Sequence, residues 1–294
     1  MRLSSRGARL GAVVASFALV LAACSSDDDG ASDDSGEETT ETTAAPEEET
    51  AEAVAPEDNG GRTEGDGTLV IGAVLPQSGN LGALGPAMIE AGAMAVRDIN
   101  EAGGVLDNDV EYLVKDDGGA ADDDLALTSA NELINNDNVD AIYGAAGSGT
   151  TKAILDTVVS SGTVQCSPSN TGADITDLPD EGLYFRTPPA DNLQAQALAK
   201  AVSDDGHQSV AIVAQNSDYG TGFIRFLEPA LDVFFNDAAT TETYDELGTS
   251  FETEVENVVA AEPEAVVLIG YPEDGGKVLA EMIEQGAGPA DLPI

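Results

Sequence analysis

The fold is decided by the stretch Leu69-Val70-Ile71-Gly72-Ala73-Val74-Leu75, which precedes a loop over 76–86 and a helical segment over 87–102. The seven residues are almost continuously apolar, as a strand buried on both faces of a parallel sheet requires. Gly103-Gly104 follows the helical segment and supplies the glycines that commonly end helices. The stretch therefore predicts a strand, a loop and a crossover helix, the unit from which α/β folds are built.

The same unit recurs along the rest of the chain. Further strands are predicted over 110–114, 139–143, 164–166, 183–186, 209–214, 241–244 and 265–269, and further helices over 122–135, 150–160, 192–202, 221–234, 251–260 and 275–285. Strands separated by helices predict parallel sheets with right-handed crossovers. The pattern restarts after Thr187-Pro188-Pro189-Ala190, so we expect two Rossmann-like α/β lobes joined by a hinge, over 67–188 and 189–294.

The first 24 residues have the order of a secretory signal. Arg2, Arg6 and Arg9 precede an apolar run over 11–21, and Leu21-Ala22-Ala23-Cys24 follows at once. The last four residues resemble the bacterial lipobox, in which the cysteine is lipidated and becomes the mature N-terminus. We therefore expect a lipid anchor at Cys24 and a membrane-attached protein that faces the extracytoplasmic side. The alternative is an ordinary signal peptide in which Cys24 occurs by chance.

Residues 25–66 form an acidic, polar segment without an aromatic side chain. Such a segment buries too little apolar surface to offset its chain entropy, and its like charges repel one another. It is predicted to be a disordered tether with no partner of its own.

The charge of the chain excludes several classes of partner. Its 294 residues include 55 Asp and Glu against 11 Lys and Arg, a formal net charge of -44. A field of this sign repels nucleic acids, so no nucleic-acid partner is expected. High salt would screen the repulsion within the chain, and a salty habitat is a hypothesis that this charge suggests.

The residues that enzymes and metal sites require are not in the right pattern. The segment over 144–152 is glycine-rich, but Thr150 follows Gly149 where a phosphate-binding loop needs lysine. The one histidine, His207, precedes a strand far along the chain from any activated hydroxyl, and Cys166 has no partner for a disulfide. We therefore expect a protein that is not an enzyme and that binds neither a cofactor nor a metal.

The loops that follow the predicted strands carry small hydroxylic side chains and tyrosines. Ligands of open α/β sheets bind beyond the carboxyl ends of the strands, where two facing lobes form a cleft. Ser148 stands there at the start of a helix, whose free N–H groups attract a small anion such as a carboxylate.

Four segments together give the chain from about Thr68 onward a resemblance to the branched-chain amino-acid-binding proteins, the leucine/isoleucine/valine type of solute-binding protein. They are Val70-Ile71-Gly72-Ala73-Val74-Leu75-Pro76-Gln77-Ser78-Gly79, Ala95-Val96-Arg97-Asp98-Ile99-Asn100-Glu101-Ala102-Gly103-Gly104-Val105, Ser167-Pro168-Ser169-Asn170-Thr171 and Asp218-Tyr219-Gly220-Thr221-Gly222. The resemblance implies the type I periplasmic-binding-protein fold and capture of a branched-chain amino acid or a similar small zwitterion or amide for an ABC importer. The partners would be that small solute and the importer's permease, and the protein would act as a monomer.

The resemblance also implies the site residues. Ser148 would bind the ligand carboxylate, and the Ser169 carbonyl and the Thr171 hydroxyl would hold its ammonium, with Asn170 in the same gripping loop. Tyr219 and Tyr271 would close over the ligand from the second lobe. Helix or turn capping by the hydroxyls and simple packing of the two tyrosines are the alternatives.

The chain also departs from the family pattern. Leu84 occupies a position where relatives can place an aromatic ring, and Gly118 and Gly147 occupy positions where some relatives form a disulfide. Family members run on beyond Ile294, so the resemblance implies a C-terminally truncated second lobe whose acidic ammonium ligand is missing. The ligand could also be urea, a short amide or an aromatic acid. A lipid-anchored sensor that signals to a partner and a surface spacer are the two other classes of function.

Overall fold

The first of two parallel sheets has five strands. The computed structural model describes residues 65–234 and 238–294, and in this part the first sheet has the strand order β2-β1-β3-β4-β5. Its strands are β1 (Val70–Leu75), β2 (Glu111–Asp116), β3 (Ala141–Gly144), β4 (Val164–Ser167) and β5 (Tyr184–Arg186), and its helices are α1 (Gly85–Glu101), α2 (Asp123–Asn135) and α3 (Ser148–Ser160). All four strand pairs are parallel, as the strand–helix alternation predicts.

The second sheet has three strands in the order β7-β6-β8, and its pairs are also parallel. Its elements are α4 (Asp191–Asp204), β6 (Val210–Gln215), α5 (Asp218–Phe234), β7 (Ala238–Tyr244), α6 (Glu252–Ala261), β8 (Ala265–Ile269) and α7 (Pro272–Glu284). The predicted α/β class with two groups of parallel strands is confirmed. The lobe boundaries and the hinge at 187–190 stay predictions, and the signal segment and nearly all of the tether lie outside the described residues.

The central strand β6 shows how each sheet is buried on both faces. Its alternate residues Val210, Ile212 and Ala214 pack with α4 and α5, whereas Ala211 and Val213 pack with α6 and α7. All six residues of the strand are buried, which explains why the first five are apolar. In the first sheet, α2 and α3 cover one face and α1 covers part of the other.

Five helices begin earlier in the chain than the sequence pattern indicates, α1 by two residues, α4 by one, and three others at the cavity. The prediction placed the starts of α3, α5 and α7 at residues 150, 221 and 275, whereas the helices begin at Ser148, Asp218 and Pro272. Glycines in the first turns lower helix propensity there, and proline is acceptable at the first helical position. The early starts make Ser148 the first residue of α3 and place Tyr219 within the first turn of α5.

The ends of α1 and α2 follow the expected capping chemistry. Gly103 and Gly104 both have positive φ after α1, and the Gly104 N–H donates to the Ile99 carbonyl at 2.9 Å. The Asp122 carboxylate accepts a hydrogen bond of 3.0 Å from the Leu125 N–H and caps α2. None of the described helices is both long enough and apolar enough to cross a membrane.

Gly85, the first residue of α1, lets the helix begin directly against the loop that leaves β1. A Cβ atom at this position would overlap the carbonyl oxygen of Pro76, which belongs to the backbone and has little room to move. The close approach therefore requires glycine at this point of the chain.

We predict that Gly85→Ala lowers the free energy of unfolding by about 3 kcal/mol, because the backbone must shift to admit the methyl group. The matched control is Gly276→Ala in α7, where an added Cβ meets nothing within 4 Å. That change should stabilise the protein by about 0.5 kcal/mol through the lower entropy of the unfolded chain. Urea unfolding of both variants measures the difference, and equal midpoints would contradict the packing argument.

Candidate functional site

A cavity of about 230 Å³ lies where the carboxyl ends of the strands of both sheets meet. It is lined by Leu81, Leu84, Ala146, Ser148, Ser169, Asn170, Thr171, Gln194, Tyr219, Gly270, Tyr271 and Pro272. All six residues that the sequence nominated for ligand binding are in this set. Their convergence on one hollow agrees with the rule that α/β ligands bind beyond the carboxyl ends of strands.

The start of α3 forms one wall of the cavity. Ser148 is 2% exposed, and no side chain in the described part of the chain caps this helix. An α-helix leaves its first N–H groups unpaired, and its dipole makes this end positive. The Ser148 hydroxyl oxygen accepts a hydrogen bond of 3.0 Å from the Gly172 N–H, which leaves the hydroxyl proton available for donation.

The loop after β4 forms the second polar wall, and Ser167 fixes its shape. The Ser167 hydroxyl donates to the Ala145 carbonyl at 2.6 Å and accepts from the N–H groups of Ser169 and Asn170. This arrangement joins the loop to the segment that leads into α3. The Ser169 and Thr171 positions are therefore set relative to the start of that helix.

Asn170 lines the cavity, but its side chain is already engaged. Its amide nitrogen donates to the Thr151 hydroxyl oxygen at 2.6 Å, and its amide oxygen accepts from the Tyr184 hydroxyl at 2.6 Å. The side chain thus joins α3 to β5, because both of its polar atoms are used within the fold. Its grouping with the ligand-contacting residues stays a prediction, and its amide has a structural role that the sequence did not indicate.

Tyr219 and Tyr271 form the aromatic wall from the second sheet. Their rings stack with centroids 5.5 Å apart and planes at 7° to each other. The Tyr271 N–H donates to the Gln215 side-chain oxygen at 3.2 Å, which ties the start of α7 to the end of β6. Burial raises the pKa of Tyr219 to about 12, and it also raises the pKa of Tyr271. Both hydroxyls therefore stay neutral around pH 7.

The sequence analysis missed Asp191, a fully buried acid at the start of α4. Its N–H donates to the Thr171 carbonyl at 2.8 Å, and one oxygen of its carboxylate accepts a hydrogen bond from the Gln194 side chain. The second carboxylate oxygen has no hydrogen-bond partner among the described residues. Burial raises the pKa of Asp191 to about 6, against the opposing effects of Thr171 and Arg186.

A signal for Asp191 was present in the sequence but was ambiguous. Acidic residues are common in first helical turns, where they complement the helix dipole in solvent. Asp191 differs from such residues because it is buried. The local sequence Pro188-Pro189-Ala190-Asp191 does not reveal whether the acid at the helix start is buried or exposed. Gln194 lines the cavity one turn further along the same helix. It was missed because the sequence analysis considered only the residues that follow strands.

Each sheet and its helices form one α/β unit, the first with β1–β5 and α1–α3 and the second with β6–β8 and α4–α7. Lys152 in α3 connects these two units beside the cavity. Its ammonium group forms ion pairs with Asp174 and, at 3.2 Å, with Asp218 at the start of α5. Desolvation lowers the pKa of Lys152, but the two carboxylates outweigh it and the net shift is upward. The lysine therefore stays charged and holds the first turns of α3 and α5 together.

The residues with the best-known catalytic chemistry lie away from this arrangement. His207 precedes β6, at the opposite end of that strand from the cavity, and the half-buried Cys166 thiol is free with a pKa raised by burial. Within residues 65–234 and 238–294, no group of three or more His, Cys, Asp or Glu side chains could hold a metal ion. The cavity therefore offers hydrogen bonding and apolar contact.

The family model for periplasmic binding proteins matches residues 68–294. The chain is 26% identical over 74% of its length to the Leu/Ile/Val-binding protein homolog 3 of Brucella melitensis, covering 58% of that protein. It is 29% identical over 75% of its length to a substrate-binding protein of a chemotactic signal transduction system from Halobacterium salinarum, covering 54% of it.

A solved structure gives the same result for the fold. The branched-chain amino acid transporter substrate binding protein LivJ from Streptococcus pneumoniae, in complex with isoleucine, superposes with a TM-score of 0.67 at 26% identity. The alignment covers 75% of this chain and 62% of that one. The chain therefore spans somewhat more than half the length of its curated relatives, and the resemblance to leucine/isoleucine/valine-type binding proteins is confirmed. Because the family match covers most of its residues, the chain belongs to the periplasmic binding protein family.

Proposed function

We propose that this protein captures a small amino acid with an apolar side chain, of the branched-chain type, outside the cell. The observation that carries the proposal is the polarity of the cavity, which has N–H and O–H donors at the start of α3 and acceptors around Thr171. A zwitterion needs donors for its carboxylate and acceptors for its ammonium group. The cavity of about 230 Å³ suits a small solute, since pockets for drug-sized ligands are larger.

The ligand carboxylate would bind at the start of α3. The Ser148 hydroxyl proton and the unpaired first-turn N–H groups are donors, and the positive end of the helix dipole favours an anion. Ala146 contributes its methyl group to the wall beside these donors.

The ligand ammonium group would bind between the Ser169 carbonyl and the Thr171 hydroxyl, with Asp191 behind them. A buried carboxylate with one unpartnered oxygen is costly by itself, and a nearby cation offsets that cost. Asp191 thus provides negative charge at the ammonium end. This role is the one that the family resemblance assigned to a residue beyond Ile294.

The ligand side chain would contact the apolar part of the wall. Leu81, Leu84, Pro272 and the stacked rings of Tyr219 and Tyr271 present carbon atoms and no charge. Transfer of an aliphatic side chain from water to such a surface contributes about 0.8 kcal/mol for each buried methylene group.

The proposed biological role is solute capture for an ABC importer by a lipoprotein anchored through Cys24. The Leu/Ile/Val-binding relatives support this role, as does the lipobox-like Leu21-Ala22-Ala23-Cys24. A second candidate is a lipid-anchored sensor that reports occupancy to a signalling partner. The relative from a chemotactic signal transduction system in Halobacterium salinarum favours that candidate.

We predict that leucine, isoleucine or valine raises the melting temperature of the full chain, whereas urea, acetamide and 4-hydroxybenzoate leave it unchanged. Binding to the folded state stabilises the protein by mass action, by about 2.7 kcal/mol at a hundredfold excess over Kd. Differential scanning fluorimetry checks this. A shift with only an amide or an aromatic acid would replace the proposed ligand class, and a shift with none of the compounds would refute the binding role.

Removal of the Thr171 hydroxyl should weaken ligand binding. Thr171→Val keeps the shape of the side chain but removes one acceptor from the ammonium site, and we expect a Kd higher by about tenfold to a hundredfold. Thr171→Ser restores the hydroxyl and should bind within a fewfold of the original protein. Thr221→Val, on the exposed face of α5, is the matched control. Isothermal titration calorimetry measures all three variants, and similar affinities for the two Thr171 variants would argue against this contact.

The ionisation of Asp191 should appear in the pH dependence of binding. The free protein has a pKa of about 6 at this residue, and a bound ammonium group would lower it because the cation favours the ionised carboxylate. Affinity should therefore be full above about pH 7 and should fall as the pH drops through about 6. Asp191→Asn should flatten this acid limb and weaken binding at neutral pH by about tenfold. Asp204→Asn, on the exposed face of the same helix, should still lose affinity below about pH 6 as the original protein does. If neither variant shows that fall in affinity, Asp191 is not its cause.

A further inference from the structure

Asn80 connects the two α/β units through its side chain. It lies in the loop between β1 and α1 and is 6% exposed. Its amide oxygen accepts from the Ala120 N–H at 3.0 Å, within the first unit. Its amide nitrogen donates at 2.9 Å to a carboxylate oxygen of Glu246, which lies two residues after the end of β7 in the second unit. A buried side chain thus spans the boundary between the units.

The Asn80–Glu246 hydrogen bond lies where it can affect the separation of the two units. β1 lies beside the edge strand β2, whereas the chain leaves the first sheet from β5 at the opposite edge. The Asn80–Glu246 bond therefore joins the units on the side away from the crossover. Leu81, the next residue after Asn80, lines the cavity, but neither Asn80 nor Glu246 does.

The surroundings of Glu246 are acidic on every element that faces it. Asp274 from α7 is 1% exposed, Asp245 precedes Glu246 in the chain, and Asp123 begins α2 of the other unit. The hydroxyls of Tyr244 and Tyr271 also interact electrostatically with Glu246. Lys152, the cation that joins the two units, pairs with Asp174 and Asp218 instead.

We propose that Asn80 and Glu246 form a latch that holds the two units closed over the cavity and that protonation of Glu246 strengthens it. Both act as positioning residues, because they set the fraction of closed protein and do not touch the solute. The latch goes beyond the proposed function and holds for whichever solute the cavity binds.

The direction of the pH effect follows from what closure does to Glu246. Burial, and after it the charge of Asp274, raises its pKa to about 7, although the Asn80 hydrogen bond opposes the shift. Opening would expose Glu246 to water and separate it from Asp123, and both changes lower its pKa. Loss of the Asn80 hydrogen bond opposes them, and Asp274 keeps its effect because it lies in the same unit, but burial is the largest contribution. The closed form therefore holds the proton more tightly. Its advantage is full at low pH and is lost as the pH rises through about 7.

The expected effect is large enough to measure. Asp274 and Asp245 move with Glu246, so only part of the shift differs between the two forms. A difference of about one pKa unit changes the closed-to-open ratio by about five- to tenfold between about pH 8.5 and about pH 5.5. Protonation removes the repulsion from Asp123 across the boundary. The Asn80 amide still donates to the neutral carboxyl, so the bond itself survives at both pH values.

The test measures the distance between the units without any solute, so its outcome is independent of the ligand proposal. Spin labels are attached at Glu101→Cys and Glu256→Cys, two exposed positions on α1 and α6, in the full chain with Cys24→Ser and Cys166→Ser. Pulsed electron paramagnetic resonance should show the closed distance population growing as the pH is lowered. An unchanged distribution across this range would overturn the proposal.

Three variants separate the latch from a general charge effect. Glu246→Gln should be equally closed at both pH values. Asn80→Asp keeps the acceptor for the Ala120 N–H but replaces the donor with a carboxylate, so it should open at high pH and close again at low pH. Glu228→Gln, whose carboxylate accepts from Thr241 within the second unit in the parent protein, is the control and should titrate like that protein. The latch would be refuted if the closed population of Glu246→Gln changed with pH as in the parent protein. It would also be refuted if Asn80→Asp stayed closed at high pH.

Discussion

The arrangement of the site depends on a helix that begins inside the protein without a cap. The first turn of α3 is buried at Ser148, and no described side chain satisfies its N–H groups. Exposed helix starts obtain hydrogen bonds from water, and buried ones from a neighbouring acceptor. Here the cavity stands where that acceptor should be, so a bound anion would complete the helix. In the proposed site, the backbone would therefore recognise the ligand carboxylate without a cationic side chain.

The cavity wall, as far as the described residues form it, contains no lysine or arginine. A chain with a net charge of -44 repels anions at long range, and the helix dipole acts only within its first turn. A simple anion would meet the full repulsion, whereas a zwitterion carries no net charge and meets little of it. The charge of the chain and the local geometry of α3 therefore both support the proposal of a zwitterionic solute.

The nominated residues converge on one cavity because parallel strands bring their carboxyl ends to the same edge of a sheet. Ser148, Thr171 and Tyr271 each follow a strand, so the correct assignment of strands was enough to bring them to one hollow. The starts of α3 and α5 were placed too late, since glycines weaken the local helical signal. The family resemblance supplied the chemical roles of the nominated residues, which spacing alone does not give.

The contacts that the sequence could not predict join residues far apart in the chain. Asn80 and Glu246 are separated by 166 positions, and nothing near either residue indicates the other. Asn170 was grouped with the ligand residues, yet its amide joins Thr151 to Tyr184. The type of a polar residue does not show whether its side chain will hydrogen-bond to a ligand or to another part of the fold. Only its surroundings in the folded protein distinguish these cases.

The two carboxyl groups with raised pKa values, Asp191 and Glu246, would act in opposite protonation states. Asp191 must be ionised to attract an ammonium group, and its pKa of about 6 limits that role on the acid side. Glu246 favours the closed form when it is protonated, and its pKa of about 7 limits that role on the alkaline side. Capture and closure therefore overlap best between these two values. Because Glu246 lies outside the cavity, closure can change with pH without any change in the residues that recognise the solute.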